Sequence, residues 1–339
     1  MKTIFDQVLG NHELRGIDCR PRQRSDVVCD TQGDRLVLRR DGATFELGRF
    51  GRDLWALCDG QRAIDEIVDR LLPRHELVES HCRVDAVVLL HQLEREGFVE
   101  APRLVEVPSP RKWIDLRTMK FFVLNCADRT DRRDFMAAQL ERMGFDFEFV
   151  PGIVAQPLAI AISLSHLKIL TRQGISPPFG ILEDDCEFNR DFEYLFEVPI
   201  DADALYLGVS HFGNRRPGDL SRYRWRNVRW VRFDDHLLRV FNMFAAHAVV
   251  CLSDVFLANA VRAVMLGLMR GGPGRTFPVD NCYAMLHASH LVLTPARLVC
   301  RQYGALGGAQ SATELPLDHV WPQGAGEDTQ LGYGPAPDD

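Results

Sequence analysis

Between Ser25 and about Glu100 the apolar positions change from the alternation of strands to the three-to-four spacing of helices. Val27-Val28-Cys29, Leu36-Val37-Leu38 and Thr44-Phe45-Glu46-Leu47 read as three short strands, parted by the turn signals Gln32-Gly33-Asp34 and Asp41-Gly42. Helices are predicted from about Arg49 to Cys58, stopping at Asp59-Gly60; over Ile64, Ile67, Val68, Leu71 and Leu72; and from about Val84 to Glu96, ending at Gly97. Three strands and three helices over residues 25–100 make a small α+β unit able to fold alone. Its short sheet has open edges, and an open edge is either protected or accepts an extended peptide as an added strand.

Residues 101–118 carry Pro102, Pro108 and Pro110 among charged side chains with no clear period, and read as a flexible linker. A second domain is expected over 119–303. Phe121-Phe122-Val123-Leu124 suits a strand buried on both faces, and a helix over Arg132 to Met143, a strand at Phe147 to Val150 and a helix over Ala159 to Arg172 follow. Further strand-like runs stand at Ala204 to Leu207, Val228 to Phe233, Phe244 to Leu252 and Leu291 to Val299. This alternation predicts an α/β fold with a mostly parallel sheet flanked by helices. Residues 1–24 read as an N-terminal extension and 304–339, rich in Gly, Pro, Ala and acids, as a loosely ordered tail.

Composition narrows the function classes. The chain is 46% hydrophobic and 26% charged, the make-up of an ordinary globular protein, and its net charge of −7 argues against nucleic acid as a partner. No run approaches the length of a membrane-spanning helix, and Asp6 interrupts the N-terminus early, so a cytoplasmic protein is expected. The nine cysteines include no Cys-x-x-Cys pair, which fits reduced thiols better than a disulfide framework or a zinc site. P-loop and Gly-x-Gly-x-x-Gly signatures are absent. Seven arginines (Arg215, Arg216, Arg222, Arg224, Arg226, Arg229, Arg232) interleave with Tyr223, Trp225 and Trp230, which reads as a solvated hairpin or as a steering patch for an acidic peptide.

The most informative chemistry lies in Phe179-Gly180-Ile181-Leu182-Glu183-Asp184-Asp185, an apolar strand ending on three consecutive carboxylates. Ligands of α/β sheets bind beyond the carboxyl ends of the strands. Repulsion among such acids is relieved by a hard divalent cation shared with substrate phosphates; the competing reading is a solvated loop start.

Two resemblances sharpen this. The stretch Phe45-x-Leu47-x-x-Phe50-Gly51-x-x-Leu54-Trp55-x-Leu57-Cys58-Asp59-Gly60-x-x-x-Ile64-x-x-Ile67-Val68-x-x-Leu71, followed by Leu90-x-x-Leu93-x-x-x-Gly97-Phe98-Val99, resembles the PqqD-like peptide-binding domains, the RiPP recognition elements, over residues 25–100. The resemblance implies that the leader of a ribosomally made precursor peptide adds as a strand beside the third strand and packs on the third helix. That puts Thr44, Phe45, Glu46, Leu47, Val84, Val87, Val88 and His91 in the groove. The bland alternative is a winged-helix-like core or a dimer face.

In the second domain, Val123-Leu124-Asn125-x-x-x-Arg129-x-Asp131-Arg132-Arg133, Ser165-His166, the acid triplet, Pro278-Val279-Asp280, and Pro295-x-x-Leu298-Val299-x-x-Gln302 with Ser311 follow one another in an order that resembles glycosyltransferase family 25. The resemblance implies a GT-A-type transferase using a nucleotide-sugar, a UDP-sugar being the expected donor, with Glu183 and Asp185 holding Mn²⁺ or Mg²⁺. Asp184, opposed on an extended chain, would face the sugar or ribose, and Asn125, Arg129, Arg133 and His166 would serve the donor. The bland readings are a turn residue for Asn125, a solvated helix start for the arginines including Arg132, and a buried hydrogen-bonded imidazole for His166. Asp280 reads equally as catalytic base or helix N-cap. His287 and His290 are further metal-shell candidates, neither favoured. One departure stands out: Ala161-Ile162-Ser163-Leu164 replaces the Gly-Cys that usually precedes Ser-His.

Together the resemblances imply a leader-dependent, inverting, metal-dependent glycosyltransferase acting on a precursor peptide, the linker holding the acceptor near the site at about millimolar effective concentration. The alternatives are a lipooligosaccharide-type saccharide transferase, a non-catalytic peptide-binding scaffold that keeps the fold, and the same fold carrying a different chemistry on the peptide.

Overall fold

The protein is described by a computed structural model covering residues 19–32, 35–75, 79–101, 110–210, 212–213, 228–270, 278–287, 290–303 and 326–327. The chain enters the first domain through β1 (Arg22–Gln23), which pairs antiparallel with β5 (Val99–Glu100) and ties the two ends of the domain together. Cys19 is buried as well, so the domain starts inside the stretch expected as an extension. The expected strands become β2 (Val28–Gln32), β3 (Arg35–Arg40) and β4 (Ala43–Leu47), an antiparallel sheet in that order. Asp41 and Gly42, both at positive φ, make the tight β3–β4 turn that this dipeptide favours.

Helices α1 (Arg49–Leu57), α2 (Ile64–His75) and α3 (Glu79–Arg95) bury Leu54, Ile67, Val68, Leu71, Leu90 and Leu93 against Leu38. Among the described residues β4 pairs only with β3, which leaves its outer edge open. Along β4 Thr44 and Glu46 are exposed, while Phe45 turns inward against Phe98 and Leu47 is buried.

The second domain begins at β6 (Arg111–Asp115), within the stretch expected as linker. This strand pairs along its length with β11 (Leu195–Pro199) and buries Ile114 under a run of polar neighbours, which is why its sequence pattern is weak. The large sheet comprises β7 (Lys120–Asn125), β8 (Asp146–Pro151), β9 (Phe179–Glu183), β12 (Ala204–Tyr206), β13 (Arg229–Arg232), β14 (Leu237–Phe241), β15 (Ala248–Cys251), β16 (Val292–Pro295) and β18 (Gly326–Glu327). Its order is β18-β13-β14-β16-β12-β15-β9-β7-β8.

β7, β8, β9, β12, β13 and β16 point one way, and β14, β15 and β18 run against them. Most strands thus share a direction, as expected. The pairings are nevertheless mixed, because β15 inserts between β9 and β12 and β14 between β13 and β16.

Alternation along the strands gives each face its own core. Phe122, Leu124, Ile181, Tyr206 and Val249 meet α5 (Leu158–Leu170), α6 (Asp254–Arg270) and α7 (Val279–Leu286). Phe121, Val123, Leu182, Leu205 and Val250 lie on the opposite face, covered by α4 (Thr130–Met143). The elements β6, β11, β14 and α6 carry no expectation from the sequence. The expected strand over Phe244 to Leu252 shortens to β15, since 242–247 runs as irregular chain.

The two domains touch directly. Val231 on β13 and Phe241 on β14 join the hydrophobic core of the first domain, and α3 lies against β13. Burying two such side chains contributes about 1.5–3 kcal/mol each. Residues 102–109 lie outside the described residues, but this contact replaces the free tether expected from the linker with a docked arrangement.

Gly180 lets β9 approach β7, because a Cβ there would overlap the Phe121 ring. Gly180→Ala should therefore destabilise the protein by about 1–3 kcal/mol. In urea denaturation this appears as a lower midpoint with an unchanged slope.

Candidate functional site

From β7 the chain passes through α4 to β8 on one side, and from β8 through α5 to β9 on the other side of β7. The connections diverge between the carboxyl ends of β7 and β9, the kind of crevice where α/β sheets take ligands. Asn125 ends β7 and Glu183 ends β9. Asp184 and Asp185 form the turn into β10 (Cys186–Phe188), which leaves the large sheet to pair with β17 (Cys300–Gln302).

The first turn of α4 supplies the compensating charge. Arg132 Nη1 donates to Asp184 Oδ1 at 2.7 Å and lies 3.4 Å from Asp185 Oδ2. Asn125 Nδ2 donates both to Asp184 Oδ2 at 2.9 Å and to the Arg129 carbonyl at 3.0 Å. Asp184 is thus a clamp between β7, α4 and β9. The expectation was that it faces the sugar or ribose; the chain turns at Asp184 rather than remaining extended, and both carboxylate oxygens are engaged within the protein.

Asp185 differs from it: its Oδ1 is buried with no hydrogen-bond partner among the described residues. Glu183 approaches His166 Nε2 at 3.4 Å through Oε1 and accepts from Gln302 Nε2 at 3.3 Å through Oε2. Burial and the charge of Asp184 raise the Glu183 pKa to about 7, with Arg132 pulling it back. Burial and Glu183 likewise raise Asp185 to about 7. The pair shares charge reluctantly, so near neutrality a proton or a bound cation is favoured between them.

On the opposite side of Glu183, His166 is fully buried, with Nδ1 3.2 Å from the Tyr283 hydroxyl. Burial lowers its pKa to about 4, so the imidazole is neutral. Asp280 lies in the first turn of α7, where Pro278 occupies the cap position. Its Oδ1 accepts from the Ala246 N–H at 2.9 Å, which rules out the N-cap reading: the carboxylate reaches across to another segment. Burial and then the charge of Glu183 raise Asp280 to about 6.

Two arginines assigned to the donor are occupied elsewhere. Arg129 is paired with Asp131, its Nη2 2.7 Å from Oδ2, and Arg133 lies over the Phe149 ring at 4.2 Å. Arg132 takes the place at the acids. His287 and His290 are buried; His287 Nε2 is 3.0 Å from the Tyr206 hydroxyl, and His290 Nδ1 is 3.1 Å from Asp203. Both lie in the core.

Of the positions expected to line a peptide groove, Leu47 and Val87 are buried in the domain core, and Thr44 and Glu46 present exposed side chains. The side chains of Val84, Val88 and His91 lie outside the described residues, as do Ser311 and Arg215, Arg216, Arg222, Arg224 and Arg226.

His247 was not foreseen. Its carbonyl accepts from the Glu183 N–H at 2.8 Å, opposite the end of β9, and its ring packs where a Cβ on Gly208 would overlap Nε2. Burial lowers its pKa to about 4, and Nε2 has no hydrogen-bond partner among the described residues. No local pattern singles out this histidine; only the register of β15 against β9 brings it to the edge.

Fold and site together define a mixed α/β domain with an acidic, switch-point edge, docked to a small α+β unit. Residues 30–99 match the family described as coenzyme PQQ synthesis protein D (PqqD). The similarity belongs to that segment, 70 of 339 residues. No curated protein matches the chain.

Among solved structures, TbiB1 in complex with the TbiA(beta) leader peptide is 23% identical, covering 23% of this chain and 94% of that chain at a TM-score of 0.22. The heterocyclase TruD is 14% identical over 49% of this chain and 26% of that chain, with a TM-score of 0.20. A heterocyclase in complex with substrate and cofactor is 13% identical over 55% and 26%, with a TM-score of 0.19. The chain spans about a quarter of each heterocyclase. At such scores none bears on the fold or chemistry of the second domain. Among the described residues no helix is long and apolar enough to cross a membrane.

The acid turn makes stability depend on pH in a stated direction. Glu183 and Asp185 have folded pKa values raised to about 7, so between about pH 4 and 7 the unfolded chain binds fewer protons and their contribution to stability falls as pH rises. Arg132→Met removes the buried counter-charge and should cost about 3–5 kcal/mol at pH 8. Denaturation at pH 5 should show a smaller loss, because protonation discharges the acids.

Proposed function

We propose that the protein modifies a ribosomally made precursor peptide whose leader binds the first domain, and that the modification is sugar transfer from a nucleotide-sugar. The observation carrying the first half is the PqqD match over 30–99 on a domain whose β4 edge is open. The observation supporting the second is the acid turn at the β7–β9 crevice with a buried, unpartnered carboxylate oxygen on Asp185.

The donor set fits a divalent cation. Among the described residues no group of three or more His, Cys, Asp or Glu side chains is gathered into a shell. What supports the fit is the pair of hard oxygen donors on Glu183 and Asp185, one Asp185 oxygen having no hydrogen-bond partner among the described residues; Mg²⁺ or Mn²⁺ is held by one or two such carboxylates and completed by substrate phosphates. Asp185 and Glu183 would hold it, and when bound it would supply Lewis-acid neutralisation of a departing diphosphate.

The chain's own residues define the remaining steps. Arg132 and Asn125 hold the turn, so the carboxylates do not reorganise as charge develops. Asp280 anchors Oδ1 on the Ala246 N–H, and Oδ2 takes the proton of the acceptor hydroxyl as it attacks the sugar. With its pKa near 6, Asp280 is mostly ionised at neutral pH yet basic enough to accept that proton. Neutral His166 keeps Glu183 oriented from the other side.

Incubating the precursor encoded beside the gene with a panel of UDP-sugars and Mn²⁺ should add the mass of one or more sugars, and Asp185→Asn should abolish the addition. Loss of water from the peptide in the presence of ATP would instead assign heterocycle formation and overturn the transfer reading. The transfer rate should rise with pH through about 6–7 as Asp280 and the Glu183–Asp185 pair lose protons. Mn²⁺ with UDP should raise the melting temperature more at pH 8 than at pH 5, since protons compete for the same oxygens.

A further inference from the structure

The docked first domain carries a consequence for the substrate, resting on the leader-binding reading above. Leu47 at the end of β4 and Leu89 of α3 both close on Gly51, so the carboxyl end of β4 comes near α3. The same helix lies against β13, with Val231 and Phe241 sealed into the first domain's core. Between β13 and β9 stand β14, β16, β12 and β15, five interstrand steps in all. At 4.7–4.9 Å per step the leader's side of the sheet is about 24 Å from the acid turn.

A helix is about 10 Å across, so, counted across the strands alone, a leader on either flank of α3 lies about 14–34 Å from the acid turn, and any offset along the strands lengthens this. An extended chain covers at most about 3.3–3.6 Å per residue. We infer that the first domain acts as a ruler: the peptide is modified only beyond a lower limit of about four to ten residues from the leader strand, and side chains nearer the leader are not reached. A domain on a free flexible linker sets no such limit, because it can swing until leader and site meet.

The test is a series of precursors with about two, six, twelve and twenty residues between the leader strand and a single acceptor, with the affinity of the labelled leader alone measured separately by fluorescence anisotropy. The expected result is unchanged leader affinity throughout, turnover depressed at least about tenfold at the shortest spacing, and full turnover at about twelve. Val231→Asp, which opens the docking contact, should restore turnover of the shortest substrate. Should that variant fail to fold, the spacing series on the unaltered protein decides alone. Equal turnover at every spacing with intact leader affinity overturns the ruler and leaves leader binding standing. Absence of leader binding removes the reading on which it rests, and the ruler with it.

Discussion

Three carboxylates share one buried turn, and the site is arranged around the cost of that charge. Arg132 and Asn125 neutralise and fix Asp184. Glu183 and Asp185 remain, and burial raises both toward neutrality. A buried acid pair in that condition takes up whichever positive charge is offered, a proton or a cation. The buried Asp185 oxygen is the unresolved part of the compromise, for no donor among the described residues completes it. Asp280 and neutral His166 border the same acid on its far side, so charge at Glu183 is felt by a candidate base through burial and proximity.

Topology gives the turn its position. β9 crosses to the far side of β7 from β8, which opens the crevice where Asn125 and Glu183 end their strands. The inserted antiparallel β15 brings His247 alongside Glu183 and the Ala246 N–H to Asp280. Had β15 been parallel, its carboxyl end rather than its start would face this edge, and neither contact would form.

The first domain depends on the same sheet at its other end. Val231 and Phe241 are residues of the second domain completing the core of the first. That sharing holds the first domain against β13 and β14. It also explains why a linker-like composition misleads: the chain around Pro108 and Pro110 lacks a period, yet β6 begins at Arg111 and is held along its length by β11.

Much of the architecture was legible in local pattern. The three strands and three helices of the first domain, the buried runs of β7 and β9, and the acids ending β9 can be read because periodicity and turn chemistry are local properties. The placement of His166 among apolar neighbours pointed to a buried imidazole, as found. Which arginine reaches the acids was not legible: Arg129, Arg132 and Arg133 are equivalent as sequence, and only the rotation of α4 over the sheet aims Arg132 inward. Asp184 as a clamp, Asp280 as a cross-segment acceptor, His247 at the edge and the docking through Val231 and Phe241 are long-range facts. The sequence by itself determined the elements and the acidic strand end, because these follow from neighbours in the chain. Tertiary structure alone decided partners and charge, because burial and distance between remote segments set both.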